Sequence, residues 1–263
     1  MTESILVTRA GAVAIVTLNR PQVHNAFDDA LIADLTRALV DCELDANIRC
    51  VVLTGAGASF SAGADLNWMR GMAAASEADN RDDALRLARL MRTLNFLSKP
   101  TIARVNGAAY GGGVGLVACC DIAIGIEGAK FSLSEVKLGL VPAVISPYMI
   151  AAIGLRQSRR FFVSGEIFDA TVAARIGLLH ECVAADQLDE AVDRVVHFLG
   201  KGGPLAQAEA KQLALRVGGV TRESAERLDV ENAKLIAHLR VSAEGQSGLA
   251  AFLEKRAPDW AKE

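Results

Sequence analysis

Short apolar runs alternate with longer amphipathic stretches over the first two thirds of the chain. Apolar runs bounded by turn residues predict strands at residues 5–8, 13–18, 50–54, 101–105, 122–126 and 130–133. Leucines at four-residue spacing, with Asp28 as the N-cap, predict a helix that ends near residue 45, and further helices are expected at 64–72 and 81–97. Residues 73–79 are small and polar and predict a mobile loop. The alternation predicts an α/β core with helices covering the sheet.

The last third of the chain has a helical pattern. Helices are expected at residues 147–153, 157–163, 170–176, 188–199, 204–217, 222–239 and 242–254, with one short strand at 180–183. The G-K-G-G-P break at residues 200–204 divides the chain into a core (1–200) and a helical C-terminal region (201–263). Because a helical tail of this length buries little apolar surface alone, we expect it to pack on another subunit.

A glycine-rich turn is the least ordinary stretch of the sequence. It follows the apolar run at 101–105 and contains Gly107, Gly111, Gly112, Gly113 and Gly115. A strand that enters such a turn, with a helix opening at Gly112 or Gly113, directs free backbone N–H groups at one point. That point suits a phosphate, a carboxylate or an oxygen that becomes negative during a reaction. The alternative is that the glycines only permit close packing of a helix on a sheet, and the run alone does not decide between the two.

Composition and charge narrow the classes of partner. The chain has 263 residues, a net charge of −3 and 22% charged residues, so no basic field indicates a nucleic-acid or anionic-membrane partner. The first eight residues lack the basic start of a secretory signal, and the uncharged runs at 105–120 and 138–155 are interrupted by glycine or proline, as expected of core segments. Five cysteines without a C-x-x-C pair and four scattered histidines predict reduced thiols, no metal site and a cytoplasmic location.

Three common motifs of nucleotide-binding proteins and serine hydrolases are missing from the sequence. Gly55 and Gly57 follow a strand, but Phe60 stands at the third glycine position of a dinucleotide-binding G-x-G-x-x-G motif. The sequence contains neither the G-x-x-x-x-G-K-[ST] phosphate loop nor the G-x-S-x-G serine-hydrolase motif.

Three segments taken together resemble the enoyl-CoA hydratase/isomerase (crotonase) superfamily. They are F-S-A-G-A-D-L at 60–66, the glycine-rich turn, and F-S-L-S-E-V-K-L-G at 131–139. The L-N-R-P opening at 18–21 and the F-L-E-K-R segment at 252–256 also look like that family, so the resemblance covers essentially the whole chain. It implies a crotonase (ClpP-like) spiral of ββα units with a C-terminal helical trimerisation region, assembled as a homo-trimer or hexamer. It further implies an acyl-CoA thioester substrate and no bound cofactor.

The resemblance also implies the site residues. The thioester oxygen is expected between the backbone N–H groups of Ala64 and Gly112, and Glu135 is expected to act as acid and base with a pKa raised by apolar surroundings. The residues expected to bind substrate or CoA are His24, Ala26, Ala62, Ala64, Asp65, Leu66, Gly112, Gly115, Pro142, Phe252 and Lys255. For Asp65, a carboxylate in the first turn of a helix is the favoured interpretation over a catalytic role.

One departure from the family pattern leaves the reaction open. Many hydratases of the family carry a glutamate at the position of Gly115, so Glu135 alone would have to serve both water and Cα. One carboxyl suffices for a syn addition, but it also suffices for a double-bond isomerase, and a non-catalytic acyl-CoA-binding relative is a further alternative. Residues 134–148 resemble methylglutaconyl-CoA hydratases, whose substrate carries a distal carboxylate. Lys137, Tyr148 and Arg156 are the candidate partners for that carboxylate.

Overall fold

Strands of two sheets form the centre of the computed structural model, which describes residues 3–261. Elements are numbered in chain order. The larger sheet contains, in spatial order, β1 (Ile5–Ala10), β2 (Val13–Leu18), β3 (Cys50–Gly55), β5 (Thr101–Val105), β7 (Ile122–Ile126) and β10 (Glu181–Val183). The smaller sheet contains β4 (Ser59–Ser61), β6 (Ala108–Tyr110), β8 (Lys130–Ser132) and β9 (Phe168–Asp169).

The helices lie around these sheets. They are α1 (Asp29–Leu44), α2 (Leu66–Ala74), α3 (Glu77–Asn95), α4 (Gly112–Cys119), α5 (Ser146–Ser164), α6 (Ala170–Ile176), α7 (Leu188–Gly200), α8 (Pro204–Val217), α9 (Arg222–Val241) and α10 (Ala243–Leu253). Short 3-10 turns occur at Pro21–Val23, Ser134–Leu138, Ala185–Gln187 and Asp259–Ala261. Within residues 3–261, none of the helices combines the length and the apolar character needed to cross a membrane.

A repeated ββα unit generates both sheets. In each repeat a strand of the larger sheet is followed at once by a strand of the smaller sheet and then by helical structure: β3–β4–α2, β5–β6–α4 and β7–β8–α5. The strands β3, β5 and β7 pair in parallel, and so do β4, β6 and β8. The predicted α/β class and the spiral of ββα units are therefore confirmed.

The alternation of side chains along β3 shows how the larger sheet is covered. Val51 and Leu53 belong to the main core on one face, whereas Cys50 and Val52 pack on the other face against α7. Successive residues of a strand point to opposite faces, so a strand covered on both sides must be apolar at every position. This explains why β3 begins with four apolar residues in a row, Cys50 to Leu53.

The prediction of a mobile loop at residues 73–79 is wrong. Helix α2 continues to Ala74 and α3 begins at Glu77, so only two residues separate the helices. The reason is local capping: the Ser76 hydroxyl accepts a hydrogen bond from the Asp79 N–H, and the buried Asn80 amide donates to the carbonyls of Met72, Ala75 and Ser76. Polar residues that looked like loop formers are instead helix-capping residues.

The other element predictions are largely confirmed. The strands and helices predicted from periodicity are present, and the two helices predicted around residue 154 form α5, which is interrupted at Gly154 (φ 73°, ψ 161°). Strands β4, β6 and β9 are not predicted by the sequence pattern, because each has three residues or fewer and lacks a measurable alternation.

The C-terminal helices pack on the core of their own chain. Helix α9 lies along α3, and ion pairs join them: Arg92 lies beside Glu226 and places its Nε 2.8 Å from Asp229 Oδ2, and Arg240 Nη1 lies 2.9 Å from Asp83 Oδ2. Helix α8 buries none of its residues within the chain. The division into 1–200 and 201–263 stays a prediction, and its outer ends fall on residues outside the described range.

Candidate active site

The three motif segments meet because they follow neighbouring strands. Residues 62–64 come directly after β4, Gly111 and Gly112 after β6, and Ser134 and Glu135 after β8. Parallel neighbours end at the same edge of a sheet, so these segments line one cavity of about 180 Å³. Apolar side chains from α2, α3, α9 and α10 form its opposite wall: Trp68, Met69, Met72, Leu87, Ile236, Leu249 and Phe252.

Two backbone N–H groups at this edge are free to bind a ligand. Phe27 N–H donates to Gly63 O (2.6 Å) and Asp65 N–H donates to Phe27 O (2.8 Å), so this parallel bridge leaves the intervening Ala64 N–H unused. Gly112 is the first residue of α4, where an N–H has no intrahelical acceptor. Within residues 3–261 neither N–H donates a hydrogen bond.

Glycine is required at the turn that presents the second donor. Gly111 adopts φ 48° and ψ −119°, a conformation that other residues rarely adopt. A Cβ at Gly112 would lie 2.7 Å from Phe27 Cε2. The glycine run therefore has both of the roles considered from the sequence. It allows close packing, and it also opens the helix N-terminus towards the cavity.

Glu135 is the acidic side chain of the cavity. The residue as a whole is half-buried, but its Oε2 is shielded from solvent and has no hydrogen-bond partner in the described part of the chain. Burial raises the pKa of Glu135 to about 7, an effect that a hydrogen bond from its own backbone N–H only partly offsets. Lys137 is exposed and forms no ion pair with Glu135 among these residues. The carboxyl is thus positioned to gain and lose a proton near neutral pH.

Gly115 is buried behind the cavity wall and is not among the residues that line the cavity, and its assignment to substrate binding stays a prediction. A Cβ at this position would lie 2.3 Å from Ile145 Cγ2 and 3.2 Å from Met91 Cε. Ile145 itself lines the cavity. A hydrocarbon side chain therefore occupies the space where the second glutamate of many hydratases would project.

Comparison with known proteins agrees with this geometry. The enoyl-CoA hydratase/isomerase family model matches residues 8–263. The chain belongs to this family. The 2,3-dehydroadipyl-CoA hydratase of Escherichia coli is 34% identical over 97% of this chain and 98% of its own.

Solved structures show the same similarity. An enoyl-CoA hydratase from Shewanella pealeana is 43% identical with a TM-score of 0.80, covering 98% of this chain and 96% of its own. An enoyl-CoA hydratase from Mycobacterium avium is 34% identical with a TM-score of 0.88, covering 99% and 100%. The ββα spiral is thus the fold of enoyl-CoA hydratases.

The structure brings together some of the residues expected from the family resemblance and separates others. Those that line the cavity are Ala62, Ala64, Gly112, Glu135, Pro142 and Phe252. Those outside its lining are His24, Ala26, Asp65, Leu66, Gly115 and Lys255. The exposed His24 places Nδ1 3.0 Å from the Ser59 hydroxyl, and the carbonyl of the buried Ala26 accepts a hydrogen bond from Arg20 (2.6 Å).

Asp65 has the helix-capping role that the sequence favours. Its Oδ1 accepts hydrogen bonds from the N–H groups of Asn67 (2.8 Å) and Trp68 (3.3 Å) at the start of α2. Its Oδ2 lies 3.1 Å from the Arg20 guanidinium. The carboxylate therefore fixes the segment that carries the Ala64 N–H.

Apart from Phe252, sequence reasoning missed the side chains that distant helices contribute to the cavity wall. The candidate carboxylate partners are not part of that wall: Lys137 and Arg156 are exposed, Tyr148 is buried in the core, and none of the three lines the cavity. Arg240 of α9 does line it. No motif marks Arg240, because its position depends on the packing of α9 against α3.

Packing at Gly115 predicts opposite effects of alanine at two helical glycines. In Gly115→Ala the new methyl overlaps Ile145, and we expect a loss of about 1–3 kcal/mol in the free energy of unfolding. In Gly71→Ala, the control, the methyl meets nothing within 4 Å, and we expect a gain of up to about 1 kcal/mol. Urea denaturation measures both. A Gly115→Ala variant as stable as the wild type would contradict the close contact.

Burial of Glu135 predicts a pH-dependent stabilisation by Glu135→Gln. A carboxyl whose pKa is raised on folding favours the folded state below about pH 4.5, and this contribution is lost as the pH rises through 7. The glutamine variant should match the wild type at low pH and exceed it by up to roughly 3 kcal/mol above pH 8, since one pKa unit is about 1.36 kcal/mol. Thermal unfolding across the pH range measures this, with the exposed Glu127→Gln as control. A difference independent of pH would show that the Glu135 pKa is not raised.

Proposed function

We propose that the chain catalyses the reversible hydration of a 2-enoyl-CoA thioester. The N–H groups of Ala64 and Gly112 bind the thioester oxygen, and Glu135 acts as both acid and base. One observation supports this most: an unpartnered carboxyl with a pKa of about 7 lies in the same cavity as two unused backbone donors. These are the groups that addition of water to a conjugated thioester requires.

The proposed steps follow the movement of charge. The Glu135 carboxylate accepts a proton from water as the water oxygen bonds to Cβ, and the electron pair of the double bond shifts towards the thioester oxygen. The two fixed N–H donors stabilise that enolate, and losing one such donor typically lowers the rate by about 10²–10³-fold. Glu135 then donates the same proton to Cα. The substrate gains one water, and the carboxylate is restored.

No redox or metal chemistry is needed for this reaction. Water addition changes no overall oxidation state, and the proton and the charge are handled by Glu135 and the two amides. For the CoA portion we propose contacts with backbone near His24, Ala26 and Leu66 and with Lys255, as the family resemblance implies. Lys255 is exposed near the end of α10, where an ammonium group can reach a phosphate.

The finer proposal concerns the acyl group. The segment 134–148 favours 3-methylglutaconyl-CoA or a related thioester with a distal carboxylate. The Escherichia coli relative is named for 2,3-dehydroadipyl-CoA, which also carries such a carboxylate. A cytoplasmic location fits this chemistry.

Double-bond isomerisation is the second candidate, because Ile145 occupies the space of a second carboxyl. Moving a double bond requires only that one group relocate a proton, which Glu135 can do alone. Offering a 3-enoyl-CoA distinguishes the two functions. An isomerase increases conjugated thioester absorbance without taking up water.

The assigned role predicts a large loss of activity in Glu135→Gln. Because acid–base catalysis contributes about 10²–10⁴-fold, kcat for hydration should fall by at least about 10²-fold, while Glu127→Gln retains wild-type rates. In the wild type, kcat/KM should rise with pH through an apparent pKa near 7, since the carboxylate is the reactive form. The decrease in absorbance as the conjugated 2-enoyl-CoA is consumed measures kcat of the variants and the pH dependence of kcat/KM. Wild-type rates in Glu135→Gln would refute the assignment.

We also propose a homo-trimer, or a hexamer of two trimers, formed by the C-terminal helices. Helix α8 buries none of its residues, and Leu213 (50% exposed) and Val217 (78% exposed) lie on one face of it. Sedimentation should give three or six times the mass of one chain. Leu213→Lys with Val217→Lys should lower that mass, whereas a monomeric wild type would contradict the proposal.

A further inference from the structure

A positively charged side chain lines the cavity of the candidate active site, and it is far in sequence from the three motif segments. Among the described residues that line the cavity, only Arg240 carries a positive charge. Its side chain is 12% exposed, on α9, between apolar neighbours from α2, α3 and α10. Burying a guanidinium in an apolar wall is costly unless it is paired or has a ligand to bind.

The protein uses only one corner of this guanidinium. Arg240 Nη1 donates to Asp83 Oδ2 (2.9 Å) and to Asn80 Oδ1 (3.2 Å). Within residues 3–261, Nε and Nη2 of Arg240 form no hydrogen bond. The planar fork of an arginine matches a carboxylate with two parallel N–H bonds, so donors remain for an acidic ligand.

The ion pair of Arg240 belongs to a small network. Its partner Asp83 is fully buried and lies within 3.5 Å of a second guanidinium, that of Arg86, which in turn lies 3.4 Å from Asp29. Two carboxylates thus balance two arginines. The ion pair with Asp83 and the hydrogen bond to Asn80 hold Arg240 in place and leave its Nε and Nη2 donors available to an anion.

An unused neutral donor lies beside Arg240. The Arg240 guanidinium lies 5.6 Å from the centre of the Trp68 ring. Trp68 lines the cavity, and its Nε1 is buried without a hydrogen-bond partner among residues 3–261. A buried indole N–H normally has a partner, so this unused donor is available to an acceptor on a ligand in the cavity.

We propose that Arg240 and Trp68 form a subsite for a carboxylate at the far end of the acyl chain. The proposal rests on the proposed function, which places the thioester at Ala64 and Gly112 in the same cavity. It assigns the substrate class as mono-CoA thioesters of dicarboxylic acids. It also replaces Lys137, Tyr148 and Arg156 as candidate partners of that carboxylate.

Binding of saturated thioesters tests this subsite independently of turnover. Succinyl-, glutaryl- and adipyl-CoA carry the distal carboxylate, and butyryl-CoA lacks it; none of them can be hydrated. Calorimetry gives the preference of the protein as the ratio of Kd for butyryl-CoA to Kd for the best dicarboxylyl-CoA. The wild type should prefer one of the dicarboxylyl thioesters by about 10- to 100-fold, the range for charge-assisted hydrogen bonds.

A paired substitution removes the cation without leaving a buried charge. Arg240→Met with Asp83→Asn should abolish the preference. The matched control is Arg92→Met with Asp229→Asn, which removes the ion pairs that Arg92 forms between α3 and α9. These lie away from the cavity lining, so the control should keep the preference. Trp68→Phe keeps an aromatic ring, smaller than the indole, but loses the donor and should reduce the preference about 10-fold. This variant tests the subsite even if the paired variant fails to fold.

Each outcome decides the proposal. The subsite is overturned if the wild type shows no preference for a dicarboxylyl thioester, if the Arg240/Asp83 variant keeps that preference, or if the control loses it equally. If Trp68→Phe keeps the full preference, Trp68 is not part of the subsite. Hydration of crotonyl-CoA and of 3-methylglutaconyl-CoA by the wild type is measured alongside. If both activities are absent while the preference is present and depends on Arg240, the proposed function fails and the carboxylate subsite stands.

Discussion

The parallel pairing of three very short strands is the constraint on which the site depends. Because β4, β6 and β8 run in parallel in adjacent positions, the residues after them reach one edge together. The bridge between Phe27 and Ala64 then directs one N–H outwards, and the first turn of α4 supplies another. Such donors are held by the backbone, so they do not have to reorganise when charge develops on a bound oxygen.

Burial of Glu135 connects stability with chemistry. An unpartnered carboxyl in an apolar wall destabilises the folded protein whenever it is ionised, and the same burial moves its pKa to about 7. Packing of Ile145 against Gly115 increases the apolar character of that wall and removes room for a second carboxyl. In the proposed reaction, proton transfer therefore falls to this single carboxyl.

Much of this could be predicted from sequence. Periodicity was sufficient for the strands of the larger sheet and for the long helices. The family resemblance was sufficient to bring Glu135, Ala64 and Gly112 together in one cavity, while their roles stay a prediction. Strands β4, β6 and β9 are too short to carry a periodic signal. The prediction of a loop at 73–79 is wrong because Ser76 and Asn80 cap helices there. Arg240 and Trp68 could not be predicted, since they reach the cavity only through the packing of α9 and α2.

The central claim is that two backbone amides polarise one thioester oxygen. The infrared carbonyl stretch of an isotope-labelled thioester, bound to the protein and free in water, tests this claim most directly. Two fixed donors in a cavity shielded from water should lower the stretching frequency on binding, because they draw electron density onto the oxygen. A bound thioester that absorbs at the same frequency as in water, or at a higher one, would contradict the account.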